Sequence, residues 1–183
     1  MSEEMMVKHC SPTLAGMKTA NIFTCYFENS RELRDSLIYW NRLLVKKGLR
    51  VISLRYKNKR ALIYVYRPAR LSRDLAREEV GALLRDYGYS PEEAPRCISR
   101  LMKRIEENDE FPHEIGLFLG YPPEDVLGFI KNEKPCKLSG LWKVYGDENE
   151  AKRLFEKYRR CTSRYCSHLA QGGSIERLAL KRA

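Results

Sequence analysis

Leu33, Leu37, Trp40 and Leu44 recur at i, i+4, i+7 and i+11, the spacing that gathers apolar side chains on one face of a helix. Asn29 with Glu32 three residues on resembles a capping box at its start, and Gly48 supplies a stop. The period then changes. Leu49 to Tyr56 and Ala61 to Arg67 are β-branched and aromatic runs flanking Lys57-Asn58-Lys59-Arg60, which predicts a hairpin. Ile22 to Phe27 reads as a further short strand. Leu71, Leu75, Val80, Leu83 and Leu84 mark one helix closed by Gly88. Ser90-Pro91-Glu92-Glu93 opens the next, whose apolar face is Ala94, Ile98, Leu101 and Ile105.

Near the C-terminal end, Leu141 to Tyr145 reads as a strand ending at Gly146. Asp147 with Glu150 caps a last long helix carrying Ala151, Leu154, Phe155 and Tyr158, and Ile175 to Leu180 predicts a short closing element. At the other end, residues 1–8 read as a flexible tail. Ser11 before Pro12 has the chemistry of an N-cap and a first turn, so a short helix is expected to begin there. The order predicts a mixed α+β (α/β) fold over residues 9–183, a single globular domain with a central mixed sheet, a β-hairpin and about five flanking helices.

The segment Phe111 to Asn132, FPHEIGLFLGYPPEDVLGFIKN, admits two conformations. Glu114 to Leu119 and Pro123 to Ile130 can be two short helices around a turn at Gly120, with helix-turn-helix spacing. Alternatively Ile115 to Leu119 is a buried strand, and Pro122-Pro123 starts one helix whose positive end Glu124 and Asp125 complement. Periodicity does not separate them, because a short apolar run fits either.

At 183 residues, 43% hydrophobic and 32% charged, the composition is that of a globular protein with a sizeable core. No apolar run is long enough to span a bilayer, so no membrane partner is expected. The start, MSEEMMVKHCSP, lacks the hydrophobic centre of a signal peptide, and a cytoplasmic location is expected. The net charge of +10 is uneven. Residues 149–183 hold nine basic against three acidic residues, whereas residues 111–148 hold four against six. The last helix therefore offers a basic face, with Lys152, Arg153, Lys157, Arg159, Arg160 and Arg164, suited to an acidic protein or to nucleic acid. Reading of DNA by the second helix of the central segment is disfavoured. That helix opens with Pro122, Pro123, Glu124 and Asp125, where a recognition helix would carry Arg, Lys, Asn or Gln.

Six cysteines without a CxxC pair fit reduced thiols better than a disulfide frame. Cys161, Cys166 and His168 place three soft ligands within eight residues, a candidate metal site for which Cys136 is a fourth ligand. Cys10, set beside the expected helix start, is the candidate nucleophile, because the positive end of a helix favours thiolate. His113 is its candidate base, and His9 could replace it or join it. Glu114 and Asp125 are the nearest carboxylates to orient the imidazole, and Asn21 is the nearest amide to Cys10. There is no GxxxxGK[ST] or GxGxxG loop, and no cofactor is expected.

Four separated stretches, HCSPTLAGMKTANIF, IYVYR, FPHEIGLFLGYPPEDVLGFI and WKVYGD, together resemble a prokaryotic family catalogued as domain of unknown function number 3793. The resemblance runs from about His9 to Leu180 and implies a stand-alone protein of this length, with no activity to carry over. The function expected from the residues is a thiol-dependent Cys/His site for hydrolase, redox or metal-related chemistry. The alternative is a nucleic-acid-binding or protein-interaction module built on the basic helix and the helix-turn-helix-like segment. Whether the protein is an enzyme stays open at this point.

Overall fold

The computed structural model describes residues 1–107 and 110–181. Its elements sort into two compact units, residues 1–71 with 161–183 (unit 1) and residues 72–160 (unit 2). The fold is mixed α+β, with nine α-helices, one three-stranded sheet and one two-stranded sheet among the described residues.

Unit 1 begins with helix α1, Glu3–Leu14, where a loose tail was expected. Ser2 caps it by accepting from the Met5 N–H at 3.3 Å, and Glu3 and Glu4 complement the positive end. Met6, Val7, Cys10 and Leu14 form a helical stripe that is fully buried, which is what orders these first residues. The expected helix start at Ser11-Pro12 is therefore corrected. Pro12 lies in the last turn of α1, not the first, and Cys10 lies two turns into the helix.

Strand β1 (Ala20–Tyr26) leads to helix α2 (Ser30–Leu44), capped as its sequence implies. The Glu32 N–H donates to Asn29 Oδ1 at 2.9 Å, and the Glu28 N–H donates to Glu32 Oε2 at 2.7 Å. A single 3₁₀ turn, Val45–Lys47, ends at Gly48. Strands β2 (Arg50–Lys57) and β3 (Arg60–Tyr66) make the expected hairpin. Asn58 and Lys59 both take positive φ, the geometry of a type I′ turn, which matches strand twist. The strand order is β1-β3-β2 and every pairing is antiparallel, so the sheet is not the mixed one expected. Helix α1 packs on β1 and β3, and α2 packs on β2. Ala61, Ile63 and Val65 of β3 join Phe23, Trp40, Leu44 and the α1 stripe in one core. The short helix α9, Ile175–Leu178, adds Ile175 to it.

The single helix expected over Leu71 to Leu84 is two, α3 (Pro68–Leu75) and α4 (Glu78–Asp86). Arg77 takes extended backbone between them, and Glu78 and Glu79 open a new helix with charges suited to its positive end. Helix α5 runs Ala94–Glu107, so Ser90 to Glu93 is a turn before it, not its first turn. Its face of Ala94, Cys97, Ile98, Leu101 and Ile105 is buried as the spacing predicts. The central segment forms two short helices, α6 (Ile115–Phe118) and α7 (Pro123–Lys131). Gly120, at φ +74°, makes the left-handed turn after α6 that a Cβ would strain. The expected strand at Leu141 to Tyr145 shrinks to β5 (Lys143–Val144), paired with β4 (Leu138–Ser139). Helix α8, Glu148–Ala170, starts where Asp147 Oδ1 accepts from the Asn149 and Glu150 N–H groups.

Candidate functional site

Unit 2 contains a cavity of about 250 Å³ built from α6, α7 and the β4–β5 hairpin. Helix α6 meets α7 closely because Gly116 has no side chain. A Cβ there would stand 2.7 Å from the Val126 methyl. This approach sets Tyr121, Phe129 and Trp142 around the cavity. The Trp142 ring stacks on Tyr121, with centroids 4.8 Å apart, and meets Phe155 edge-on at 4.5 Å.

Asp125 holds this arrangement from behind. Its carboxylate is buried and accepts from Trp142 Nε1 and from the backbone N–H groups of Tyr145 and Gly146, each at 2.7 Å. An acid with three such donors is a structural tie, and it fixes the plane of the Trp142 ring. The rim carries two nitrogen bases. The His113 ring stands edge-on to Phe129 at 4.8 Å, and Lys143 Nζ lies 5.2 Å above the centre of the same ring. Burial, with Tyr158 adding to it, pushes the Tyr121 phenol up to about 12. The cavity thus offers flat apolar walls, a neutral phenol and cationic chemistry at its mouth.

The residues singled out from the sequence do not converge there as a set. Only His113 lines the cavity, joined by Asp125, one of the two carboxylates named as its orienters. Glu114, the other, is buried on different partners. It accepts from Tyr89 Oη at 2.8 Å and from Arg104 Nε at 2.6 Å. Cys10 belongs to the unit 1 core with no exposed surface, and burial drives its thiol far above the usual value. Its place late in α1 also removes the helix N-terminus that was expected to favour thiolate. His9 is exposed and stacks flat on Phe23, with centroids 5.0 Å apart. Asn21 accepts from the Thr13 hydroxyl at 2.7 Å.

The metal candidate is corrected. Cys161, Cys166 and His168 lie on one continuous helix, which turns Cys166 roughly 140° from Cys161. Cys161 is buried, Cys166 is exposed, and the His168 ring lies against Gly173. Among the described residues no group of three His, Cys, Asp or Glu side chains is placed to hold a metal ion.

The basic helix is partly neutralised by its own acids. Lys152 pairs with Glu148 at 2.5 Å, Arg153 with Glu150 at 3.9 Å, and Arg160 with Glu156. Arg159 lies 6.0 Å over the Phe155 ring, while Lys157 and Arg164 are exposed. Charge pairs of this spacing are the ordinary furniture of a solvated helix face. In the sequence Tyr121 is an apolar residue just past the Gly120 turn, Phe129 lies within the second of the two short helices, and Trp142 and Lys143 belong to the expected strand. Long-range contacts bring them together, namely the Trp142 hydrogen bond to Asp125 across 17 residues, the Tyr121–Trp142 stack and the approach of Lys143 to Phe129.

The chain belongs to the family described as a protein of unknown function, DUF3793, whose model matches residues 6–179. No curated protein and no solved structure matches it.

Proposed function

We propose that this member of the family is a binding protein for a small flat apolar molecule carrying an acidic group, held in the unit 2 cavity. The observation behind this reading is the pairing of aromatic walls with two nitrogen bases at the mouth. Tyr121, Phe129 and Trp142 offer faces and edges to a ring, while His113 and Lys143 stand where an acid would emerge. The one carboxylate in the wall, Asp125, is already satisfied by three donors and does not compete for the bases. A cavity of about 250 Å³ suits a ligand of one or two rings.

Calorimetric titration of the full chain with phenylacetate, methyl phenylacetate and phenethylammonium tests it. The acid is expected to bind saturably and more tightly than the neutral ester or the cation, and Lys143→Ala to erase that order. Absence of binding by all three, or an order indifferent to Lys143, overturns the reading.

Thiol chemistry at Cys10 has less behind it, since its sulfur is enclosed and its thiol is held protonated. Nucleic-acid binding through α8 has only Lys157, Arg159 and Arg164 beyond the intrahelical pairs. No helix of the described residues is long and apolar enough to cross a membrane. We place the protein in the cytoplasm, where its six free cysteines would stay reduced.

A further inference from the structure

A second concavity lies wholly in unit 1, between the outer side of α2 and the sheet-edge strand β2. It is a shallow concavity, open to solvent, of about 900 Å³. Its floor is aliphatic, with Leu37, Ile38, Val45 and Ile52, and Ile38 and Val45 are 44% and 38% exposed. Ile38 and Val45, two turns apart on the same side of α2 and its 3₁₀ extension, are thus two large hydrophobic side chains that face solvent within the groove. Contiguous exposed apolar surface in a groove marks a place where another molecule is buried.

The rim sets the charge of that molecule. Arg34, Arg42, Lys46 and Arg50 line the groove, and no acidic residue does. Lys46 pairs with Glu176, and Arg34 approaches Asp35 at 3.9 Å. Arg42 and Arg50 form no ion pair among the described residues.

The backbone narrows the binding mode. An open edge strand invites an added strand, but Asn41 from α2 has taken that position. Its side-chain amide donates to the Val51 carbonyl at 2.7 Å, and its oxygen accepts from the Val51 N–H at 3.1 Å. The edge is thus closed at the middle of the groove, and an occupant must dock by side chains instead of by main-chain pairing. An aliphatic floor without stacking rings disfavours single-stranded nucleic acid.

We infer that this groove docks an acidic amphipathic helix of a partner protein, apolar side chains on the α2–β2 floor and carboxylates on Arg42 and Arg50. The inference does not depend on the unit 2 cavity.

The test is fluorescence anisotropy of a labelled four-turn peptide with Leu on one face and Glu on the other, added to the full chain. Controls are the same peptide with Lys for Glu, a scrambled version, labelled oligothymidylate, and phosphatidylserine vesicles. The acidic peptide is expected to bind with micromolar Kd. Ile38→Asp, a change at an exposed side chain, should weaken it at least about tenfold. The double charge reversal Arg42→Glu with Arg50→Glu should do the same and transfer binding to the Lys peptide. Thermal melts of both variants establish that they remain folded. Equal binding of the scrambled peptide, or acidic-peptide affinity unchanged in both variants, overturns the inference. So does binding of oligothymidylate or vesicles that the variants abolish while the acidic peptide does not bind.

Discussion

Each unit buries one charged side chain that ties backbone from several segments together, and the two carry opposite signs. In unit 1, Arg67 donates to the Thr13 and Leu14 carbonyls at the end of α1, to the Lys47 carbonyl in the 3₁₀ turn, and to the Leu180 carbonyl. In unit 2, Asp125 accepts from the Trp142 indole and from two successive backbone N–H groups. Both are nearly inaccessible, at 4% and 3% exposure. The difference is what stands beside them. Arg67 lines neither of the two concavities described above, whereas Asp125 forms part of a cavity wall and orients one of its rings. A buried charge of this kind is structural in either setting, and Asp125 shapes the cavity chiefly by orienting a ring that lines it. That ring belongs to Trp142.

The largest expected effect is at Arg67. In Arg67→Ala four carbonyls lose charged donors in a place that water does not readily reach, and unfolding in urea should show a loss of about 3–5 kcal/mol. Arg67→Lys should recover less than half of it. A single ammonium cannot span acceptors on three separate segments as the guanidinium fork does. A loss under about 1 kcal/mol in Arg67→Ala would remove one side of the comparison.

Asp125→Asn comes next. The amide keeps one acceptor but turns an NH₂ group toward N–H donors, so at least one of the three bonds is replaced by a donor–donor contact. The expected stability loss is about 2–3 kcal/mol, with a shift in Trp142 emission relative to the buried Trp40. Phenylacetate affinity should fall with it. If stability falls and affinity does not, Asp125 is a tie like Arg67, and the cavity does not depend on the angle of Trp142.

What could be read without coordinates follows the range of each interaction. The α2 stripe, its Asn29–Glu32 cap and the β2–β3 hairpin depend on neighbours within a few residues, and all three stand as their patterns imply. The end of α3 shows in the spacing once it is measured, because nine residues put Val80 on the opposite side of a continuous helix from Leu71, and the break at Arg77 resolves this. Two start signals compete for α1, Ser2 before two acids and Ser11 before a proline. The first wins because it buries Met6 and Val7. Placing Cys10 at a helix start followed from the losing signal. His113 is legible as a rare residue in a dense segment, but its surroundings are not, since Phe129 comes to it from α7 and Lys143 reaches that ring from β5. Burial of Lys18, beside Cys10 in the electrostatics of unit 1, left no trace in the pattern at all.

That buried lysine sharpens the comparison through pH, with the smallest expected effect. Burial lowers Lys18 to about 8 from its usual 10.5, and it raises Cys10 well above its usual 9.0. Between pH 8 and 10.5 the unfolded chain holds a lysine proton that the folded chain has released, so a rise in pH favours the folded state. Above pH 9 the unfolded chain loses the cysteine proton that the folded chain retains, so a further rise favours unfolding. Burial raises the thiols of Cys25, Cys97 and Cys161 as well, so above pH 9 the cysteines together outweigh the lysine and stability should fall. Urea unfolding at steps between pH 7 and 10 measures the profile. Lys18→Met should steepen that fall, and Cys10→Ala should lessen it. A flat wild-type profile would mean that these groups titrate alike in both states, and that Arg67 is the one buried charge by which unit 1 can be set against Asp125.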